Sequence, residues 1–438
     1  MHPEPRSGAH SEADGDLVIG MLGLGTVGAQ VAARLLERGS HPRSPAVLTL
    51  ARALVQEPDK PRGLAIPAGL LTTDPGDVID DDAVDVVVEV MGGEEPALSY
   101  IERSIRAGKH VVTANKLVMA RHGPRLLELA GEMNVDVYLE AAVGGGIPLI
   151  STFKTDLRAN DIERIAAVIN GTSNYVLGRI AAGHELAAAV AEAQSAGYAE
   201  ADPSDDVDGR DAVYKLAIMA SIAFGTRVDP DRVFREGIQG VAPVDFRYAR
   251  ELGFEIKLLA VASRQGDRVE ARVHPAMIPA THPLAGVEGA FNAVHIEGDL
   301  VGPVLLWGRG AGGGPTASAV LGDLLDLAES RRRGVRRRSA LRFEGEAGLV
   351  PMEEIVTRAY YRIRVADRPG VLAAVGAVFA REQVSISSAI QKEAFAAEGA
   401  AEFVVTTHPA PESALRRARQ GIGRLEPVRA VSSFLRVL

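Results

Sequence analysis

The chain has 438 residues, room for about three domains, and its 47% apolar and 24% charged residues match an ordinary globular protein. Its 48 Lys and Arg against 57 Asp and Glu give a net charge of −9, which argues against a dedicated nucleic-acid binder. There is no cysteine, which excludes disulfides, thiolate metal sites, iron–sulfur clusters and a cysteine nucleophile. Residues 1–16 are polar without an apolar core and are expected to form a disordered tail, not a signal peptide or presequence. No uncharged apolar run reaches the roughly 18 residues of a membrane helix, so no membrane association is expected and the chain reads as cytoplasmic. Residues 17–22 form a short apolar run, as in a strand buried on both faces. Gly23-Leu24-Gly25-Thr26-Val27-Gly28 follows, then a helical pattern over 29–38 closed by Gly39. Strands are expected over 47–51, 84–90, 110–113 and 135–139, with helices over 96–107, capped by Gly108, and 124–132. This alternation implies a parallel sheet.

The middle of the chain changes character. Strands are expected over 163–169, 258–262, 268–273 and 290–297, and helices over 174–182, 186–196 and 210–224, an α+β pattern. Ala311-Gly312-Gly313-Gly314-Pro315 opens a helix over 316–329. Residues 331–338 hold six arginines; in an acidic chain this run reads as a solvated linker and not a nucleic-acid grip. Beyond it, strands over 358–365, 384–390 and 402–406 and helices over 370–382 and 412–419 suggest a β-α-β-β-α-β unit of ferredoxin-like type.

A strand–GxGxxG–helix context points to dinucleotide binding. Gly23 permits the tight turn, Gly25 lets the backbone approach a pyrophosphate, and Gly28 allows close helix–strand packing. The second strand is expected to end at Arg52, where an NAD site usually carries an acid; Arg52 could meet a 2′-phosphate, which favours NADP, with NAD possible. Lys215 is the only charged residue from Ala212 to Phe224, and Asp211 lies at i−4 on the same helix face. A lysine starting an apolar stripe serves either as an acid or as half of a structural ion pair. Lys116 follows the 110–113 strand, where open α/β sheets bind ligands, although a surface lysine is equally consistent with its position. Glu140 precedes a glycine-rich turn that either presents oxygens to a hard cation or is a plain turn.

Together these motifs resemble homoserine dehydrogenase, from about Leu17 to Glu329. They run through Val88-Glu89-Val90-Met91-Gly92-Gly93, Thr113-Ala114-Asn115-Lys116, Glu140-Ala141-Ala142-Val143-Gly144-Gly145-Gly146-Ile147-Pro148 and Asn170-Gly171-Thr172-Ser173-Asn174-Tyr175. They end in Gly197-Tyr198-Ala199-Glu200-Ala201-Asp202-Pro203, Lys215 and Gly310-Ala311-Gly312. The resemblance implies reversible, nicotinamide-dependent reduction of L-aspartate 4-semialdehyde to L-homoserine. In it Lys215 gives the proton to the carbonyl oxygen, Glu200 and Asp211 hold substrate, and Lys116 sits by cofactor and substrate. Gly23, Gly25, Thr26, Val27, Gly28, Arg52, Gly197 and Gly312 line the cofactor. Glu140 with the carbonyls of Val143, Gly145 and Ile147 holds a sodium-type ion. The implied fold is α/β: a Rossmann-type domain over 17–150, an α+β catalytic and dimerisation domain over 151–310, and a helix returning to the first domain over 311–330. A linker over 331–357 and a ferredoxin-like ACT domain over 358–438 complete it. The turn Asp367-Arg368-Pro369-Gly370-Val371-Leu372 resembles that of ACT domains, which implies an amino-acid effector, threonine, and a homo-oligomer, a dimer or tetramer. Two other readings are an ACT-bearing enzyme like 3-phosphoglycerate dehydrogenase and a non-catalytic, NADP-binding amino-acid sensor. The early cofactor loop and the retained Glu200, Asp211 and Lys215 weigh against them.

Overall fold

A computed structural model of the chain describes residues 15–38, 46–335, 343, 345–395 and 399–438. The chain divides into two compact units, one made of Met1–Asp161, Ala217–Pro230 and Leu306–Glu346, the other of Ile162–Leu216, Asp231–Leu305 and Ala347–Leu438.

In the first unit, strands Leu71–Thr72, Leu48–Leu54, Leu17–Leu22, Val86–Glu89, His110–Thr113 and Val137–Tyr138 lie side by side in that order, every pair parallel. The strand order reverses beside Leu17–Leu22, which opens a crevice at the carboxyl ends of that strand and Val86–Glu89. Both faces are covered, so Ile19, Met21, Val86, Val87 and Val88 are all buried. One face packs on helices Thr26–Arg38 and Gly313–Arg332 through Val31, Leu35, Val320 and Leu324. The other packs on Val78 and Ile79 of the short helix Gly76–Ile79.

Several local expectations are corrected here. The strand expected to stop at residue 51 continues to Leu54, because its pairing with Leu17–Leu22 resumes past a register shift at Ile19/Gly20. The helix expected from Pro124 starts at Lys116 and ends at Met133 with Pro124 inside it. The Asn115 side chain caps it by accepting from Val118 N at 3.1 Å, and burial of Val118, Met119, Leu126 and Leu127 outweighs the one helical bond that proline forfeits. Residues 1–14 of the expected tail lie outside the described residues, but Asp16 is bonded, accepting from Val47 N at 2.8 Å. Arg331 pairs with Asp85 at 2.7 Å, and Arg332 and Arg333 pair with Glu329 at 2.8 and 2.6 Å. Those three arginines are therefore helix-end ion pairs; the arginines at 336–338 lie outside the described residues.

The second unit is built on a mixed sheet. Strands Phe291–Gly298, Ile162–Val168, Phe254–Gln265, Arg268–Pro279, Val428–Val437, Val356–Ala366, Ala400–Thr407 and Ile386–Phe395 follow one another across it. Neighbours are antiparallel except Arg268–Pro279 and Val428–Val437, which meet in parallel at Ala276–Met277 and Arg436–Val437. The last four strands, with helices Val371–Arg381 and Glu412–Gly423 over Tyr361, Phe379, Leu415 and Phe434, make the ferredoxin-like unit. Leu438 N donates to Met277 O at 2.9 Å, and Leu438 packs on a core that includes Ala166, Val168, Leu259 and Ile278.

Part of the span expected to be a linker is ordered structure. Gly348–Leu349 pairs with Arg268–Val269, and Val350, Met352 and Ile355 bury together with Phe234. A buried ionic network joins helix Pro243–Glu251 to the ferredoxin-like sheet. Arg362 donates to Asp245 at 2.8 Å and to Glu402 at 2.9 Å, Tyr360 Oη donates to Asp245 at 3.1 Å, and Tyr248 Oη donates to Glu402 at 2.9 Å. Every charge in the network has an opposite partner, as burial requires.

Candidate active site

Gly23 takes φ +101°, and a Cβ there would lie 3.0 Å from Val90 O, so the turn out of the first strand needs glycine. A Cβ on Gly28 would lie 2.5 Å from Gly23 O; only glycine lets the helix start this close to the strand end. Above Gly25 the space is open, with nothing within 4 Å of where a Cβ would stand. Ala29 N bonds Gly25 O at 2.8 Å as the first helical bond, so the N–H groups of Thr26, Val27 and Gly28 have no helical acceptor and can receive an anion. Gly312 caps helix Gly313–Arg332 at φ +116°, and a Cβ on Gly313 would lie 3.0 Å from Thr26 O, so a second helix N-terminus stands beside the loop. Arg52 does not end its strand. Gly23 N bonds Leu54 O at 3.1 Å, which puts the strand end past Arg52, whose exposed guanidinium donates to Ala51 O at 3.0 Å. Val55, Gln56 and Glu57 follow the strand end instead.

At the carboxyl end of the adjacent strand, Glu89 is fully buried. It accepts from Thr113 Oγ1 at 2.6 Å, Met91 N at 2.9 Å and Asn115 Nδ2 at 3.4 Å. Burial pushes its carboxyl above the usual range, against the pull of these donors. Asn115 Nδ2 also donates to Gly93 O at 2.8 Å. Glu89 and Asn115 thus tie together the ends of two strands and fix the turn that presents Lys116, the half-buried first residue of its helix. The sequence signal for Glu89 was a charged residue ending an otherwise apolar strand.

In the second unit Lys215 is buried, with Nζ 2.8 Å from Asp211 Oδ2 and donating to Ile169 O at 3.0 Å. Asn170 Nδ2 donates to Asp211 Oδ2 at 2.7 Å and to Asp206 Oδ1 at 2.6 Å, while Asn292 Nδ2 donates to Ile169 O at 2.9 Å. The i,i+4 pairing expected of Asp211 and Lys215 is present, and Asp211 Oδ2 positions the lysine. An ammonium has three donors, and these contacts use two, leaving one that can meet a further acceptor. Asn170 and Asn292 were not singled out as site residues in the sequence. Thr172 Oγ1 donates to Tyr198 O at 2.6 Å, holding the loop that carries Glu200 against the same helix start. Glu200 is exposed there, and its carboxylate has no partner among the described residues. Gly197, at φ +75°, is the residue at which helix Leu186–Ser195 stops, its N–H donating to Gln194 O at 3.1 Å.

The Glu140 carboxylate is taken up by backbone amides, from Leu149 and Ile150 on Oε1 at 2.7 and 2.8 Å and from Ser151 on Oε2 at 2.7 Å. These three bonds anchor the turn and use three of the roughly four acceptor positions of the carboxylate. Val143, Gly145 and Ile147 are buried, and among the described residues no donor reaches their carbonyls. That donor set fits a hard monovalent ion. Gly145 needs to be glycine: its φ is +55°, and a Cβ would lie 2.7 Å from Gly310 O. Among the described residues no group of three or more His, Asp or Glu side chains could hold a metal ion, and no helix is long and apolar enough to cross a membrane.

Comparison with known proteins agrees along the chain. A family model described as "Homoserine dehydrogenase, NAD binding domain" matches residues 23–140, "Homoserine dehydrogenase" matches 148–325 and "ACT domain" matches 362–423. A homoserine dehydrogenase of Synechocystis sp. is 43% identical over 431 residues, covering 96% of this chain and 99% of that protein. The crystal structure of a homoserine dehydrogenase from Thiobacillus denitrificans superposes with a TM-score of 0.89 at 40% identity, over 97% of this chain and 98% of that one. A hyperthermophilic archaeal homoserine dehydrogenase in complex with NADPH gives a TM-score of 0.61 at 26% identity, over 72% of this chain and 98% of that one.

Proposed function

The chain belongs to the homoserine dehydrogenase family of NAD(P)-dependent oxidoreductases, and from that premise we propose that it interconverts L-aspartate 4-semialdehyde and L-homoserine with Lys215 as the proton donor. The observation that carries the assignment is the buried Lys215 ammonium with one N–H left over. The nicotinamide, when bound, supplies or accepts hydride, so the protein needs no covalent nucleophile. Lys215 neutralises the alkoxide that develops on the carbonyl oxygen and gives it a proton. Asp211, itself held by Asn170, keeps the ammonium aimed. Glu200 takes the substrate's ammonium group, and Lys116 stands by the cofactor and substrate. The proposed cofactor is NADP, supported by the archaeal relative solved with NADPH, with NAD as the alternative. The amides of Thr26, Val27 and Gly28 would receive its phosphates, over the turn made by Gly23, the open approach at Gly25 and the neighbouring helix start at Gly312. Val143, Gly145 and Ile147, with the turn anchored by Glu140, would hold a structural sodium-type ion.

The direct test follows NADPH absorbance with aspartate semialdehyde as substrate; no oxidation beyond background sinks the assignment. In the same assay Glu200→Ala should raise the substrate KM about tenfold or more with little change in kcat, the pattern of lost uniform binding. An unchanged KM would remove Glu200 from the substrate site.

The ferredoxin-like unit is proposed to bind threonine at the Asp367–Gly370 turn and to serve oligomer formation. Gly370, exposed and at φ +89°, caps helix Val371–Arg381, whose first amides have no helical acceptor. Because Gly348–Leu349 and Val428–Val437 both pair with Arg268–Pro279, removing everything beyond residue 338 would strip the sheet. The test therefore uses the full chain. Threonine should inhibit homoserine formation, and Asp367→Ala should raise the half-inhibiting concentration about tenfold or more, since a conformational effector must bind one state better. Insensitivity of the unaltered chain, with no threonine binding by calorimetry, leaves this unit an assembly element.

A further inference from the structure

We propose that the cavity between helix Glu412–Gly423 and strand Phe234–Arg235 binds a small organic anion with a dianionic head and an apolar body. The cavity has a volume of about 590 Å³ and is lined by Arg235, Arg416, Arg419 and Arg436 around Phe234 and Phe434, with Glu236 as the one acidic side chain. It lies on the helix side of the ferredoxin-like unit, away in sequence from the Asp367–Gly370 turn, and outside the cluster built around Lys215.

The guanidinium groups converge on the two rings. Arg416 and Arg436 stand over Phe234 at 5.2 and 5.0 Å, and Arg419 and Arg436 over Phe434 at 5.4 and 5.3 Å. Only part of this positive charge is balanced by the fold. Arg436 is paired with Glu412 at 2.6 Å and Glu236 at 2.7 Å, and Arg416 with Glu412 at 3.0 Å and Glu353 at 3.7 Å. Arg235 and Arg419 have no carboxylate within 4.0 Å among the described residues, and both are exposed. Like charges gathered around a low-dielectric floor repel each other, and an arriving anion relieves that repulsion. Phe234, the half-buried ring of the two, sets the second requirement, since an apolar or planar body packs on it while the head meets the guanidinium edges. The site joins two parts of the unit: Phe234–Arg235 pairs with Arg272–Val273, whereas Phe434 and Arg436 belong to the strand that closes the ferredoxin-like sheet.

The experiment is calorimetry on the full chain saturated with NADPH, which keeps the cofactor site from taking the probe. The probes are phenyl phosphate, phthalate and inorganic phosphate. Phenyl phosphate or phthalate should bind saturably in the millimolar range or tighter, and inorganic phosphate more weakly because it lacks the apolar body. Which of the first two binds tells a phosphate head from a dicarboxylate. The variant Arg235→Ala/Arg419→Ala should weaken binding about tenfold or more, the scale of lost charge-assisted hydrogen bonds. Its homoserine formation should stay unchanged, because neither side chain holds an ion pair of the fold or belongs to the Lys215 cluster, and its melting temperature should fall by no more than the lost Arg419–Phe434 contact accounts for. Equal affinity of the variant and the unaltered chain, or no saturable binding by the unaltered chain, overturns the proposal.

Discussion

Replacing Lys215 with alanine is expected to lower turnover by about 10²-fold or more, the scale of a lost general acid. The structural basis is the single N–H that remains once Asp211 and Ile169 O have taken theirs. Affinity for the cofactor should change little, because the amides proposed to receive its phosphates belong to Thr26, Val27 and Gly28, on another part of the chain. Steady-state kinetics and an NADPH fluorescence titration measure the two quantities separately. A variant with near-normal turnover would reduce Lys215 to a structural partner of Asp211. The alanine also leaves Asp211 and Asn170 facing each other without the ammonium, so a melting curve should accompany the kinetics. Lys215→Met keeps the volume and separates lost chemistry from lost packing.

Asp245→Ala should destabilise the protein by about 3 kcal/mol or more, because it takes away the acceptor that Arg362 Nε, Tyr360 Oη and Ala242 N share and leaves those donors unsatisfied. Asp245 is fully buried, and it receives Arg362, Tyr360 Oη and Ala242 N. Glu402 alone cannot replace it, since its second oxygen accepts from Tyr248. Urea denaturation of the full chain reads the effect as a lower midpoint. A loss below about 1 kcal/mol, the range of an exposed pair, would mean that the network is solvated in solution.

The sequence showed most plainly what is fixed by short-range geometry. Gly23 and Gly28 are required by contacts within the loop itself and with the next strand end, so their spacing carried the message. Asp211 and Lys215 are one helical turn apart, and their pairing could be expected from that alone. Arg52 was misplaced because a strand's end is decided by its neighbour, here by pairing that resumes past a register shift in Leu17–Leu22. The helix start at Lys116 was hidden by Pro124, a strong local signal that the Asn115 cap overrides. Asn292 escaped notice because its contact with Ile169 O spans 123 residues, and no periodicity marks a partner that distant. Glu140 was understood by type and not by use. A carboxylate before glycines looks like a ligand, and its anchoring by three amides of the following segment carries no sequence mark.

The strand Val428–Val437 has a consequence for how the polypeptide is made. Its register with Arg268–Pro279 joins Ala276 to Arg436, and Leu438 N reaches back to Met277 O. A growing chain leaving the ribosome therefore carries Arg268–Pro279 with part of one edge unpaired until Arg436 and Val437 emerge. Pairings of such long sequence separation form late, since loop closure must precede any contact that rewards it. The Lys215 cluster hangs from the same sheet through Ile169, the residue after strand Ile162–Val168. Nascent chains halted before residue 428 should accordingly be open to protease in the second unit while the parallel sheet of the first, whose strands are complete by Tyr138, is already protected.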